Sequence, residues 1–261
     1  MSIRAVIFDL DDTLVVEKAS AEAAFLAACE LARDKYGLCP RALHEAVRRT
    51  CRELWYASDM HPYCKEIGIS SWEGMWARFD GDEANLKALR KFAPVYRIQS
   101  WVNALAEFDI VDLSLAAELA DAFCAERRKR HIVFDDVMGV LDKLGKYRLA
   151  IVSNGAPDLQ REKLAGSGLG SYFEAVVISG EQGTGKPDPK LFEIVLEQLG
   201  VKTDEAIVVG NSRNTDILGA QNANIKSVWL NRDNCDYDSD VVADYEISGL
   251  DELDGILGKL Q

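Results

Sequence analysis

The sequence predicts an α/β fold, a parallel sheet covered by helices on both faces, with an all-helical domain inserted into it. Three observations predict it. Short apolar runs rich in β-branched residues recur along the chain, and helix-period stretches of ten or so residues separate most of them. A long segment near the N-terminus keeps helical periodicity and contains no convincing strand.

The first run, IRAVIFD at 3–9, is apolar without alternation and ends on an acid, as expected of a strand buried on both faces. Similar runs stand at 147–153 (YRLAIVS), 175–179 (AVVIS), 206–210 (AIVVG) and 226–230 (KSVWL). Helix spacing is read over 135–146, 157–168, 189–200 and 215–223, with a last helix over 250–260. Residues 17–131 carry amphipathic patterns at 19–36, 41–57, 83–92 and 113–128. In the first of these, Ala21, Phe25, Ala28, Cys29 and Ala32 share one face. The organisation expected is an α/β core of 1–16 and 132–261 with a helical domain, 17–131, inserted into it.

Composition sets the outer bounds. The chain has 261 residues, 48% of them hydrophobic, which is ordinary for a folded protein and too high for a disordered one. No window approaches an uncharged apolar stretch of membrane-spanning length. The N-terminus, MSIRAVIFDLDDTL, carries acids inside its apolar run and lacks a small-residue cleavage site, so it does not read as a signal peptide. A cytoplasmic protein is expected. With 30 basic residues against 43 acidic ones and a net charge of −13, nucleic acid is not an expected partner. The one basic run, Glu126 to His131, reads as a solvated helix end. The six cysteines form no CxxC pair, so zinc is not expected and they read as core thiols.

The chemistry gathers where strands end. Asp9 and Asp11 close the first strand, on one side by the period of two, at the carboxyl edge where ligands bind in open α/β sheets. Ser153-Asn154-Gly155 follows the second strand and offers a hydroxyl, an amide and a backbone free to approach an anion. Gly185-Lys186-Pro187-Asp188-Pro189 sets a lysine just before a helix start, and Gly210 to Asp216 (GNSRNTD) again ends on an acid opening a helix. Taken singly, each is also an ordinary turn or cap. Together they bring acids, a hydroxyl and a cation to one sheet edge, which suits a divalent metal and a phosphate.

These segments resemble the motifs of the haloacid dehalogenase superfamily, in its phosphatase branch. DLDDTL at 9–14, SNG at 153–155, GKPDP at 185–189 and GNSRNTD at 210–216 stand in the family's order and span the whole core. The resemblance implies a Rossmann-like core, a helical type 1 cap at 17–131, and a magnesium-dependent phosphatase acting on a small phosphate monoester of the nucleotide, sugar phosphate or phosphoglycolate type. It assigns Asp9 as nucleophile and Asp11 as general acid and base. Ser153, Asn154, Lys186 and Thr13 would surround the phosphate, Thr13 and Asn154 as supporting hydrogen-bond partners. Magnesium would be held by Asp9, the backbone carbonyl of Asp11, Asn211 and Asp216.

One departure matters. Many relatives have Asp where this chain has Asn211, which keeps an oxygen ligand but removes a charge and implies a raised magnesium requirement. A dehalogenase is the rival enzyme reading, but it would not need the acid at Asp11. The same residues would also suit a phosphotransferase of the mutase kind, and the fold by itself would suit a non-catalytic binding protein. For the leaving group, His61, Tyr63, Trp72, Trp76, Arg78, Arg97 and Trp101 are candidate contacts. A monomer and a homodimer are both compatible with the sequence.

Overall fold

A computed structural model describes residues 2–235 and 240–261. The chain divides into two compact units. One comprises residues 1–16, 133–155 and 162–261, and the other residues 17–132 and 156–161.

The first unit is built on six parallel strands: β1 (Ala5–Phe8), β2 (Arg148–Ser153), β3 (Ala175–Ile178), β4 (Ala206–Gly210), β5 (Lys226–Leu230) and β6 (Tyr245–Ile247), in the order β3-β2-β1-β4-β5-β6. The chain runs one way from β1 through β2 to β3 and the other way from β4 to β6, so the order reverses between β1 and β4. That switch point is where a crevice opens at the strand ends of such sheets. β1 lies in the middle, with Ala5, Val6, Ile7 and Phe8 all fully buried. Its side chains alternate between two cores. Val6 and Phe8 join Leu149, Ile151, Ile207 and Val209 on one face, while Ala5 and Ile7 join Ala150, Val152, Val177 and Val208 on the other. Each large apolar side chain so buried contributes about 1.5–3 kcal/mol, which is why a strand of four residues suffices here.

The five strands expected from sequence are present, and β6 is an addition: three residues with an exposed Glu246 at the centre carry no apolar run to read. The helices of this part are α7 (Val137–Lys143), the second half of α8 (Pro157–Gly166), α9 (Ser179–Gln182), α10 (Lys190–Leu199), α11 (Leu218–Asn222) and α12 (Leu253–Lys259). The helix read from 215 begins instead as a π-helical turn over Arg213–Ile217.

The second unit is helical: α1 (Glu17–Tyr36), α2 (Pro40–Tyr56), α3 (His61–Ile67), α4 (Ser71–Gly74), α5 (Ala84–Ala106) and α6 (Leu113–Arg128). Its core includes Phe25, Trp55, Trp76, Trp101 and Phe123, with the Phe25 and Phe123 rings stacked at 3.9 Å. Residues Ala156 to Arg161, expected with the α/β part, cluster here, and Ala156 and Leu159 belong to this core.

Three expectations are corrected. α5 does not stop at Phe92. It runs through Pro94, which sits on the exposed side, because Tyr96, Trp101, Ala104 and Leu105 beyond it are buried. The basic run is not wholly a solvated helix end, since Arg127 is 1% exposed and pairs with the buried Glu17 carboxylate. The Arg127 guanidinium also lies 4.7 Å from the Trp76 ring centre, an arrangement the planar arginine head suits. Finally, only part of the thiol set is core: Cys29, Cys51 and Cys64 are buried and Cys124 is half-buried, but Cys39 and Cys235 are exposed, one just before α2 and one in the loop after β5.

Candidate active site

Asp9, Thr13, Lys186, Asn211 and Asp216 meet beyond the carboxyl ends of β1, β2 and β4. The β1 ladder continues one residue past the strand, with the Asp9 N–H donating to the Val209 carbonyl at 2.9 Å. The chain then turns sharply. Asp12 takes a left-handed conformation (φ 57°), which aspartate tolerates, and its N–H donates to the Val15 carbonyl. The turn brings Thr13 back over Asp9, so the Thr13 hydroxyl lies 2.9 Å from Asp9 Oδ2 and 3.3 Å from Asn211 Oδ1.

Lys186 is the centre of the cluster. Its Nζ stands 2.6 Å from Asp9 Oδ1, 2.7 Å from Asp216 Oδ1 and 2.8 Å from the Val152 carbonyl. All three side chains are buried, with Asp216 1% exposed. Asn154 fixes the lysine from behind: its amide oxygen accepts the Lys186 N–H at 2.7 Å and its amide nitrogen donates to the Lys186 carbonyl at 3.0 Å. Asn154 therefore clamps the Lys186 backbone through both ends of its amide. Ser153 ends β2, 1% exposed, and Gly155 follows with φ 143°, a conformation open to glycine.

Asp216 is held by the Ser212 N–H, which donates to Oδ2 at 2.9 Å. Gly210 is required beside it, since a Cβ there would fall 2.3 Å from Asp216 Oδ2. Asn211 is fixed through its main chain, its N–H donating to Thr13 Oγ1 and its carbonyl accepting Trp229 Nε1 at 2.9 Å.

The electrostatics follow from burial. Loss of water pushes the Asp9 carboxyl above the usual carboxylate range, against the pull of Lys186, and the charges of Asp216 and Asp11 push it further. For Lys186 burial works against the charge, but the two carboxylates prevail and hold the ammonium above its ordinary value. One cation thus serves two buried anions, which leaves the cluster with an excess of negative charge.

Asp11 stands apart from that cluster. Both of its carboxylate oxygens bond Lys163 Nζ, at 3.0 and 2.9 Å. Lys163 was not found from the sequence, yet a signal existed. In α8, Leu159, Gln160, Lys163 and Leu164 are all buried, so the lysine falls at helical spacing among the covered positions of that helix. Arg232 was missed too. It donates to both Asp136 oxygens and to the Thr13 carbonyl at 3.1 Å, supporting the β1 turn from sequence positions far away.

Of the candidate leaving-group contacts, Trp76 and Trp101 are fully buried core residues of the helical unit. Arg97 donates to the Gly74 and Ala77 carbonyls. Arg78 pairs with Asp80, and Trp72 lies under the Arg48 guanidinium at 4.5 Å. His61 packs on Tyr56 and Tyr63 is half-buried.

Among the described residues no three acid, histidine or cysteine side chains form a ready-made metal cage. What converges instead is a set of oxygen donors, the carboxylates of Asp9 and Asp216 and the amide oxygen of Asn211, with anions outnumbering cations. That suits magnesium, which prefers oxygen, binds through one or two carboxylates and keeps several waters.

No helix among the described residues is long and apolar enough to cross a membrane. Comparison with known proteins agrees with the geometry. The chain is 34% identical over 253 residues to a phosphoserine phosphatase of Thermus thermophilus, covering 96% of this chain and 98% of that one. It is 30% identical over 261 residues to the N-acylneuraminate-9-phosphatase of Homo sapiens, covering 98% and 94%. The crystal structure of a HAD phosphatase from Thermococcus onnurineus superposes with a TM-score of 0.61 at 29% identity, covering 98% of each chain. The model of the haloacid dehalogenase-like hydrolase family matches residues 3–224, and the chain belongs to that family.

Proposed function

We propose that the protein is a magnesium-dependent phosphatase that hydrolyses a small phosphate monoester through an aspartyl-phosphate on Asp9. The observation that carries this reading is the triangle of Asp9, Lys186 and Asp216, with both carboxylates within 2.7 Å of one buried ammonium. An Asp9 oxygen attacks phosphorus as the ester P–O bond breaks, and Asp11 gives a proton to the departing oxygen. Water then attacks the aspartyl-phosphate, Asp11 takes a proton from it, and inorganic phosphate leaves with Asp9 restored. Ser153 and Lys186 receive the phosphoryl oxygens, and Lys186 also draws Asp9 into its anionic form. Asn154 and Thr13 hold these groups in place. Asp9, the Asp11 carbonyl, Asn211 and Asp216 would hold the metal. When bound, magnesium screens the approach of an anionic ester to an anionic nucleophile.

The substrate class proposed spans nucleotides, sugar phosphates and phosphoglycolate, and the named relatives add phosphoserine and N-acylneuraminate 9-phosphate. Phosphoserine and the sugar phosphate are esters of aliphatic alcohols, poor leaving groups that need the proton Asp11 would supply. In this reading residues 1–16 and 132–261 form the catalytic core and 17–131 the cap domain. The test is hydrolysis of an aryl phosphate with and without magnesium, beside Asp9→Asn. Metal-dependent turnover that disappears in the variant supports the reading. Turnover that persists in Asp9→Asn sinks it, as does an inert wild-type protein.

A further inference from the structure

We propose that Lys163 is the positioning residue for Asp11, its ammonium aiming the carboxyl group that exchanges a proton with the ester oxygen. The inference rests on the phosphatase reading. Lys163 Nζ lies at nearly equal distances, 3.0 and 2.9 Å, from the two oxygens of Asp11. A contact to both oxygens fixes the carboxyl group in rotation as well as in distance, whereas a single bond would leave it free to turn.

The support behind Asp11 is rigid on one side only. The Lys163 side chain is 1% exposed and that of Asp11 22%. Lys163 and Leu164 are buried neighbours in α8, so the ammonium is delivered by a packed helix rather than by a loop. A buried ammonium that loses its anion is heavily penalised, so the packed Lys163 holds the more exposed Asp11 to itself. The two lysines divide the work. Lys186 attends Asp9 and Asp216 together, and Lys163 attends Asp11. Lys163 acts through Asp11, and its ammonium keeps its protons throughout. The proton moves from Asp11 to the leaving oxygen and returns to Asp11 from water.

The test compares two esters that differ in their need for that proton. Dinitrophenolate departs from 2,4-dinitrophenyl phosphate without protonation, while the serine alkoxide of phosphoserine cannot. The quantity read is kcat/KM, which covers steps up to departure of the leaving group and excludes the later attack of water. In Lys163→Met the ratio of the alkyl to the aryl value should fall on the order of tenfold to a hundredfold, within the range of lost general-acid catalysis. Lys163→Arg, which keeps the charge, should recover part of it. In Asp11→Asn the ratio should already be low, and adding Lys163→Met should lower it no further. Lys163→Gln makes the same comparison if the methionine variant does not fold. An equal loss on both esters, or a further fall in the Asp11→Asn background, overturns the assignment. A wild-type protein inert on both esters with magnesium overturns the phosphatase reading itself, and the inference with it.

Discussion

Asn211 stands where the family resemblance leads one to expect Asp. Its amide oxygen is 3.3 Å from Thr13 Oγ1, and the cluster it borders already holds two carboxylates against one ammonium. Asn211→Asp should add a third anion that only a metal can balance. Without magnesium the variant should melt below the wild type. With magnesium it should bind the ion more tightly, by an amount on the order of a few kcal/mol for a partly screened charge pair. Calorimetric titration with magnesium chloride and paired melting curves measure both, and an unchanged affinity would sink the idea. In the helical unit, Asp158 tells a different story. Its Oδ2 accepts the Arg78 N–H at 2.7 Å, but its buried Oδ1 has no hydrogen-bond partner among the described residues. Burial accordingly raises its carboxyl pKa, with the Arg78 N–H opposing. A carboxyl raised on folding favours the protonated native state. Stability is therefore lost as pH rises from the unfolded value through the folded one, and the loss persists at neutral pH. Asp158→Asn should be more stable than the wild type at pH 7 and show no advantage below pH 3, as read by urea denaturation. These two residues also mark what sequence makes visible. Asp9 and Lys186 were readable because each stands at a strand end or helix start in an ordered series of motifs. The Lys163 and Arg232 contacts were not, because each closes on a partner at least 96 positions away.

At the scale of elements, burial decided what could be read. β1 and β4 are covered on both faces and so leave unbroken apolar runs, which is why their positions were legible. α3 and α4, of seven and four residues, are too short to display a period, and β6 hides behind its exposed centre. α5 runs on past the 83–92 pattern because tertiary packing overrides a local rule. A proline inside a helix removes one hydrogen bond and costs about 3 kcal/mol. The turns beyond Pro94 bury Tyr96, Trp101, Ala104 and Leu105, and each large side chain among them returns roughly 1.5–3 kcal/mol. Pro94→Ala should therefore stabilise the protein by about 1–3 kcal/mol, since its site is exposed and the lost donor is restored. A lower melting temperature in the variant would show that the local backbone is adapted to proline instead.

For the molecule as a whole, an α/β sheet with a helical insertion was legible because the two parts differ in period: unbroken strand-length runs alternate with helices in one, and helical spacing alone fills the other. The excess of acid was legible as well, and it bears on function at long range. A net charge of −13 repels an anionic ester, so capture would rest on Lys186 and the proposed metal. If association limits the rate, kcat/KM for a phosphate ester should rise as salt screens that repulsion, measured between low and physiological ionic strength. A steep fall would point to a cationic approach path. That Ala156 to Arg161 cluster with the insert was not legible, because nothing in the composition of the helix read over 157–168 divides it there.

That stretch bears on how such an enzyme could be re-engineered. A helix whose first residues cluster with the insert and whose last residues cluster with the core is shared property, and Lys163 sits just past the division. Grafting the helical insert of a relative between residues 16 and 133 would leave behind six host residues shaped for the original insert, including the buried Leu159. A chimera that exchanges 156–161 together with the insert should express as a folded protein where the simpler swap aggregates. The unit of exchange would then be discontinuous in the sequence, with its smaller piece lodged just upstream of Lys163.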